Sequence, residues 1–104
     1  MARSRQFAES PYLLGADEKI PFNFDVSTWS LTPITPSVAL YDITDGAYTD
    51  VSSTNLTGSA TIADTTITTP YVYNLTAGKK YRLEAKWYDG ASILEGYCVI
   101  DCER

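Results

Sequence analysis

The segment from residue 75 to residue 87 constrains the fold most, because it joins a regular three-residue spacing to a strict alternation. Leu75, Gly78 and Tyr81 are each three residues apart. From Tyr81 the chain alternates, with apolar Tyr81, Leu83, Ala85 and Trp87 separated by charged Arg82, Glu84 and Lys86. A period of two is typical of a β-strand with one buried and one solvated face. The segment therefore predicts an amphipathic strand rather than a helix.

The residues after this strand predict a hairpin. Asp89 and Gly90 form a strong turn signal. The return strand then places four apolar side chains on one parity: Leu94, Cys98, Ile100 and Cys102. An earlier segment, residues 18–26, alternates in the same way with Ile20, Phe22, Phe24 and Val26 on one face. Within it Pro21 cannot donate a ladder hydrogen bond, so it indicates an edge position.

Further short strand segments, separated by turn residues, occupy much of the remaining chain. Residues 37–43, 60–63 and 65–73 are rich in β-forming residues, and no window has a helical apolar stripe. Six or seven short strands predict an all-β domain, a single small antiparallel β-sandwich, with an open barrel as the alternative. We place this domain at residues 18–104 and an extended N-terminal arm at residues 1–17, where Pro11 and Gly15 are breakers.

The Leu-x-x-Gly-x-x-Tyr spacing before an alternating strand resembles fibronectin type III and related immunoglobulin-like sandwiches. The resemblance implies an immunoglobulin-like fold and a structural role for all three residues. Leu75 would enter the core, and Gly78 would form the turn. The Tyr81 hydroxyl would bond to the backbone of the preceding loop, as in a tyrosine corner. This resemblance concerns the fold and implies no function.

A second resemblance covers more of the chain. It rests on the arm, an "E-x-x-P-F-x-F" first strand and the segments at 58–62, 67–72, 75–84 and 99–103. These resemble a group of small proteins encoded by tailed bacteriophages among their virion structural genes. The resemblance implies a non-enzymatic virion protein, made in the bacterial host cytoplasm. Its expected role is capsid decoration (cement) or a neck or tail adaptor, and its expected partners are other virion proteins and its own copies.

The arm is the candidate partner-binding segment. The residues we expect to contact a partner are Arg3, Arg5, Phe7, Tyr12, Leu13 and Leu14. An arm that orders only on assembly can wrap a neighbour while contributing little to the isolated domain. We therefore expect the domain to fold without residues 1–15.

Residues that commonly act in catalysis or bind metals are scarce, so we predict no enzyme activity and no cofactor. The chain has no histidine, which removes histidine-dependent nucleophile and metal sites. Cys98 and Cys102 are about 13 Å apart on an extended strand, whereas a disulfide needs Cα atoms within about 7 Å. We therefore expect two free thiols. Asp42, Asp45 and Asp50 could supply calcium oxygens, but turn residues that bond their own backbone are the favoured interpretation.

The net charge and the aromatic content indicate which classes of binding partner to expect. The net charge of −5 argues against nucleic acid and against anionic membranes. Eight tyrosines exceed what a core of this size holds, so some lie on the surface. Surface tyrosines suit protein interfaces and also suit sugar stacking. The alternative function is therefore a carbohydrate-binding or adhesion module that uses surface tyrosines and the acidic loop at residues 42–50.

Overall fold

The computed structural model describes residues 5–6 and 12–103, and these ranges are mostly β-strand. The strands are β1 (Arg5–Gln6), β2 (Tyr12–Gly15), β3 (Lys19–Ile20), β4 (Asn23–Asp25), β5 (Ile34–Asp42), β6 (Thr49–Asp50), β7 (Leu56–Thr57), β8 (Thr61–Ala63), β9 (Thr66–Thr68), β10 (Tyr71–Tyr73), β11 (Lys80–Asp89) and β12 (Ser92–Glu103). A single helical turn, α1 (Ser52–Asn55), follows β6. The predicted all-β class is confirmed. In the part described, no helix has the length and apolar character needed to cross a membrane.

The largest sheet has the strand order β1-β12-β11-β5-β6. The hairpin predicted at Asp89 and Gly90 is present, with Asp89 paired to Ser92. Strands β5, β11 and β12 are antiparallel neighbours and form the centre of the sheet. Strands β1 and β2 also belong to this sheet but run parallel to β12. The expected purely antiparallel pairing therefore does not extend to β1 and β2, which pair with the edge of β12.

Two smaller antiparallel sheets have the orders β3-β10-β7 and β4-β9-β8. Prolines divide what we expected to be continuous strands, because a proline cannot donate to a ladder. Pro21 separates β3 from β4, and Pro70 separates β9 from β10. The break is bridged by Phe22 and Thr69, since each backbone N–H donates to an oxygen of the other residue at 2.9 Å. The described ranges consequently hold more strands than the six or seven predicted.

Side chains from all three sheets form one hydrophobic core. Its members are Leu14, Phe22, Phe24, Val26, Leu40, Ile67, Val72, Leu75, Tyr81, Leu83, Ala85, Trp87, Cys98, Ile100 and Cys102. The alternation predicted for β11 is confirmed, because its four apolar residues are buried and the charged residues between them are not. Cys98 and Cys102 are buried and carry free thiols, as their spacing predicted.

The loop before β11 is tied to the core by Tyr81. The Tyr81 hydroxyl accepts a hydrogen bond of 2.9 Å from the backbone N–H of Thr76. Leu75 is buried in the core, and Gly78 has a positive φ of 85° that suits glycine. The Gly78 N–H also donates to the carbonyl oxygen of Cys102 at 2.9 Å. These contacts join the turn to both its own strand and the last strand of the sheet.

The segment expected to be an arm is partly a strand. Strand β2 pairs with residues 100–103 of β12, and the Ala16 N–H donates to the carbonyl oxygen of Glu103 at 2.9 Å. Leu14 is 1% exposed and lies in the core, whereas Leu13 is 58% exposed. Residues 12–15 therefore belong to the large sheet. Two predicted arm contacts, Arg3 and Phe7, lie outside the described residues.

The loop before β5 is tied to the hairpin by a carboxylate. Asp89 accepts hydrogen bonds of 2.8 Å from the Ser30 and Thr32 hydroxyls. These bonds hold the pKa of Asp89 below its ordinary value, and the bond from Ser30 has the larger effect. A carboxyl whose pKa is lower in the folded chain stabilises the fold at a pH above the unfolded pKa. That contribution is lost as the pH falls through the folded pKa.

We therefore expect Asp89→Asn to lower the urea midpoint of unfolding at pH 7 and to have a smaller effect at pH 3, which is below the ordinary carboxyl pKa of 3.8. The amide keeps one acceptor oxygen but loses the charge that strengthens both hydrogen bonds. Urea titrations at the two pH values measure the difference. Asp17→Asn, in an exposed turn, is the control. An Asp89→Asn deficit that does not change between pH 7 and pH 3 would contradict the prediction.

Candidate interaction surface

The face of β5, β11 and β12 that points away from the core is the candidate interaction surface, here called the outer sheet face. Residues paired directly across antiparallel strands share a face, so the register arranges these side chains in four rows of three. The rows are Ile34, Tyr88 and Ile93; Ser37, Lys86 and Glu95; Ala39, Glu84 and Tyr97; and Tyr41, Arg82 and Val99. All twelve are exposed or half-buried.

Arg82 is held in place at one end of the outer sheet face. Its guanidinium carbon lies 3.7 Å from the centre of the Tyr97 ring and 5.6 Å from that of Tyr48. Its Nε forms an ion pair of 2.7 Å with a carboxylate oxygen of Glu84. Contacts on three sides restrict the rotamers of Arg82, which reduces the entropy that a partner-binding event would cost.

Two tyrosines continue this aromatic end of the face. The rings of Tyr41 and Tyr48 are 6.0 Å apart and inclined at 50°. Burial, followed by the nearby negative charge of Glu84, raises the pKa of the Tyr41 hydroxyl, which stays protonated at neutral pH. Tyr48 is 58% exposed. The phenols can therefore donate and accept hydrogen bonds while their rings supply contact area.

The opposite end of the outer sheet face is aliphatic. Ile34 and Ile93 are 52% and 50% exposed, and both pair directly with Tyr88 of β11, one from each side. Leu31, in the loop that leads to β5, is 78% exposed. A group of large aliphatic side chains that are half or more exposed to solvent favours contact with another macromolecule.

A shallow groove of about 310 Å³ lies between the two ends. Its lining includes Ser37, Ala39, Tyr41, Glu84, Lys86 and Glu95 of the outer sheet face. The face carries two cations, Arg82 and Lys86, and two anions, Glu84 and Glu95. Its formal charge is therefore zero in a chain whose net charge is −5. A neutral patch on an acidic protein lets another acidic surface approach without strong repulsion.

The acidic loop at residues 42–50 uses its carboxylates to shape turns. Asp42, Asp45 and Asp50 each accept a hydrogen bond from the backbone N–H two residues ahead, at 3.0, 3.3 and 2.9 Å. Hydrogen bonds from Thr44 hold the pKa of Asp42 below its ordinary value, and those from Ser52 do so for Asp50. Within 5–6 and 12–103, no group of three or more carboxylates or thiols could hold a metal ion. The loop therefore has the turn geometry that the sequence favoured.

The predicted arm residues that the structure describes differ in their positions. Leu13 is exposed, Leu14 is in the core, and Arg5 and Tyr12 lie in β1 and β2. Sequence reasoning did not single out the outer sheet face, although it placed Arg82, Glu84 and Lys86 opposite the core. The missing information was which strands flank β11, because that depends on pairing between distant segments.

Comparison with known proteins gives no further indication of function. No protein-family model matches the chain, and no curated protein is significantly similar to it in sequence.

Proposed function

We propose that this chain is a non-enzymatic structural protein of a tailed-bacteriophage virion, made in the host cytoplasm and acting by protein–protein contacts. Within the particle, capsid decoration or a neck or tail adaptor is the role that agrees with the sequence resemblance. The single observation that carries the contact function is the outer sheet face. It combines half-buried tyrosines, a fixed arginine and exposed isoleucines at zero formal charge.

We further propose that the fold is an immunoglobulin-like sandwich. In variable-type immunoglobulin domains, one sheet contains the last strand, the strand before it, the third strand and its neighbour. The order β12-β11-β5-β6 follows this arrangement. The two smaller sheets would together form the second layer, with β9 and β10 in the middle. The Tyr81 hydroxyl bond to Thr76 also agrees with such a domain.

Protein contact is better supported than sugar binding. A stacked sugar needs an open aromatic face, and Arg82 covers one face of the Tyr97 ring at 3.7 Å. The rings of Tyr41 and Tyr48 are inclined at 50° and so do not form a flat platform. Tyrosine and arginine are also the residues most often responsible for binding energy at protein interfaces.

Mass spectrometry of purified particles, made by the genome that encodes this chain, tests the proposal. We expect the chain at a fixed ratio to the major capsid or tail protein. Tyr97→Ala should reduce its incorporation, whereas Tyr71→Ala, which alters an exposed tyrosine of β10, should not. Absence of the chain from the particles would overturn the virion role. Specific binding on a glycan array, lost in Tyr48→Ala, would favour the carbohydrate-binding alternative.

A further inference from the structure

We propose that the outer sheet face binds a second copy of this chain, face to face, around a two-fold axis that runs across the strands. In this arrangement Lys86 of each copy lies against Glu84 of the other. The inference rests on the proposed use of this face for protein contacts and names its occupant.

The charge pattern of β11 is the first argument. Along the outer side of this strand the order is Arg82, Glu84, Lys86 and Tyr88, which is positive, negative, positive and aromatic. Because β11 is the middle strand of the outer sheet face, its side chains would lie at the centre of any interface there. An interface between two identical copies must therefore match this order to itself.

Only one of two simple two-fold arrangements produces that match. If the axis ran along the strands, Arg82, Glu84 and Lys86 would each face the same residue of the second copy, and three like-charged pairs would repel. If the axis runs across the strands, the two β11 strands are antiparallel. Glu84 then faces Lys86 of the second copy twice, and Arg82 faces Tyr88 twice. The first contact is an ion pair, and the second is a favourable cation–π pair.

The flanking strands complement each other in the same arrangement. The aliphatic row faces the aromatic row, so Ile93 of β12 lies against Val99 of the second copy. On β5, Ile34 lies against Tyr41. Exposed aliphatic area at one end of each copy is thus covered by apolar or aromatic area of the other. Two stacked sheets are rotated by about 30°, which preserves the central contacts of β11 and shifts those at the edges.

The charged side chains at the centre are available for this contact. Lys86 is exposed, and it forms no salt bridge with any described residue. Glu84 already binds Arg82 through Oε2, and a carboxylate accepts several hydrogen bonds at once. A second cation beside Glu84 therefore adds to the existing ion pair rather than replacing it.

The size of the face indicates a reversible dimer. Three strands about 4.8 Å apart, with rows about 6.7 Å apart, give a flat footprint of about 400 Å² per copy. The two copies together would cover about 800 Å², which is below the roughly 1,000 Å² of a stable specific interface and is the size of a weak, transient one. We therefore expect a dissociation constant in the micromolar range, so that copies separate on dilution and pair where the protein is locally concentrated.

Sedimentation equilibrium of the whole chain, with single and paired charge exchanges, tests the arrangement. We expect Lys86→Glu and Glu84→Lys each to weaken self-association by at least about tenfold, because two pairs become repulsive. An equimolar mixture of the two variants should associate as the original chain does, since each new charge then faces its opposite. A chain carrying both exchanges should likewise form its own dimer.

Lys19→Glu is the matched control, because it makes the same charge change on β3, in another sheet. It should leave the dissociation constant unchanged, and circular dichroism should show that every variant is folded. The inference is overturned if the original chain stays monomeric up to about 1 mM, if the single exchanges leave association unchanged, or if the mixture fails to associate.

The dimerisation experiment and the particle-incorporation experiment can fail independently of each other. A chain that is incorporated into particles but monomeric in solution would overturn the second-copy inference and leave the virion role intact. A chain that dimerises as described but is absent from particles would support the inference and overturn the virion role.

Discussion

Replacing Trp87 by alanine is expected to lower the free energy of unfolding by about 3–5 kcal/mol. Trp87 is 0% exposed and is the largest fully buried side chain in the described part of the chain. It lies in β11, whose neighbours on both sides belong to the same sheet, and its ring centre is 6.4 Å from that of Trp29. The surrounding strands cannot collapse into the space of an indole without breaking their ladders, so most of the cavity would remain.

The loss would be a large part of the stability of a domain of this size, which is about 5–15 kcal/mol. Guanidinium unfolding followed by circular dichroism measures it. Trp87→Phe should cost less, because the smaller ring leaves a smaller cavity. Tyr88→Ala, on the opposite face of the same strand, should cost only about 1 kcal/mol. Equal losses at positions 87 and 88 would contradict the assignment of the two faces.

Leu14→Ala is expected to lower the free energy of unfolding by about 2–5 kcal/mol, whereas Leu13→Ala should change it by about 0.5 kcal/mol or less. The two residues are adjacent leucines in β2, so the two substitutions delete the same atoms. Leu14 is 1% exposed, and Leu13 is 58% exposed. The pair therefore isolates burial as the cause. Unfolding curves of the two variants, measured under the same conditions, compare them directly.

The burial of Leu14 in the core also changes the result that we expect when the N-terminal segment is removed. Removing residues 1–15 deletes Leu14 from the core and uncovers the edge of β12 at residues 100–103. We therefore expect the truncated chain to be less stable by at least as much as Leu14→Ala. This replaces the expectation from the sequence that the domain folds unaffected without its arm. Equal stability of the truncated and full chains would show that β2 does not contribute to the fold.

The local sequence pattern was sufficient to identify the all-β class and to show which face of the main hairpin is buried. The alternation from Tyr81 to Trp87 has a period of two, and this period follows from the geometry of an extended chain. Tyr81 follows from this alternation, the resemblance to immunoglobulin-like sandwiches implied that Leu75 enters the core, and both residues are buried there. The spacing of Cys98 and Cys102 likewise required only the rise of a strand to predict two free thiols.

The sequence was less informative about the segments around Leu14 and Pro21, where local pattern and strand pairing lead to different assignments. In residues 12–15 the pair Leu13 and Leu14 has no alternation long enough to indicate a strand, and Gly15 indicates a break. The structure pairs this segment with β12 because the edge of that strand offers unpaired backbone groups. Pro21 was interpreted as an edge position within one strand, whereas it lies between β3 and β4, which belong to different sheets.

The sequence alone determined that this chain forms half-buried strands and which side of its central hairpin is apolar, because both follow from a repeat of two residues. Tertiary structure decided which strands are neighbours, that Leu14 fills the core, and that Arg82 packs on Tyr97. Those contacts join segments far apart in the chain, and their formation depends on the total free energy of competing pairings rather than on any local spacing.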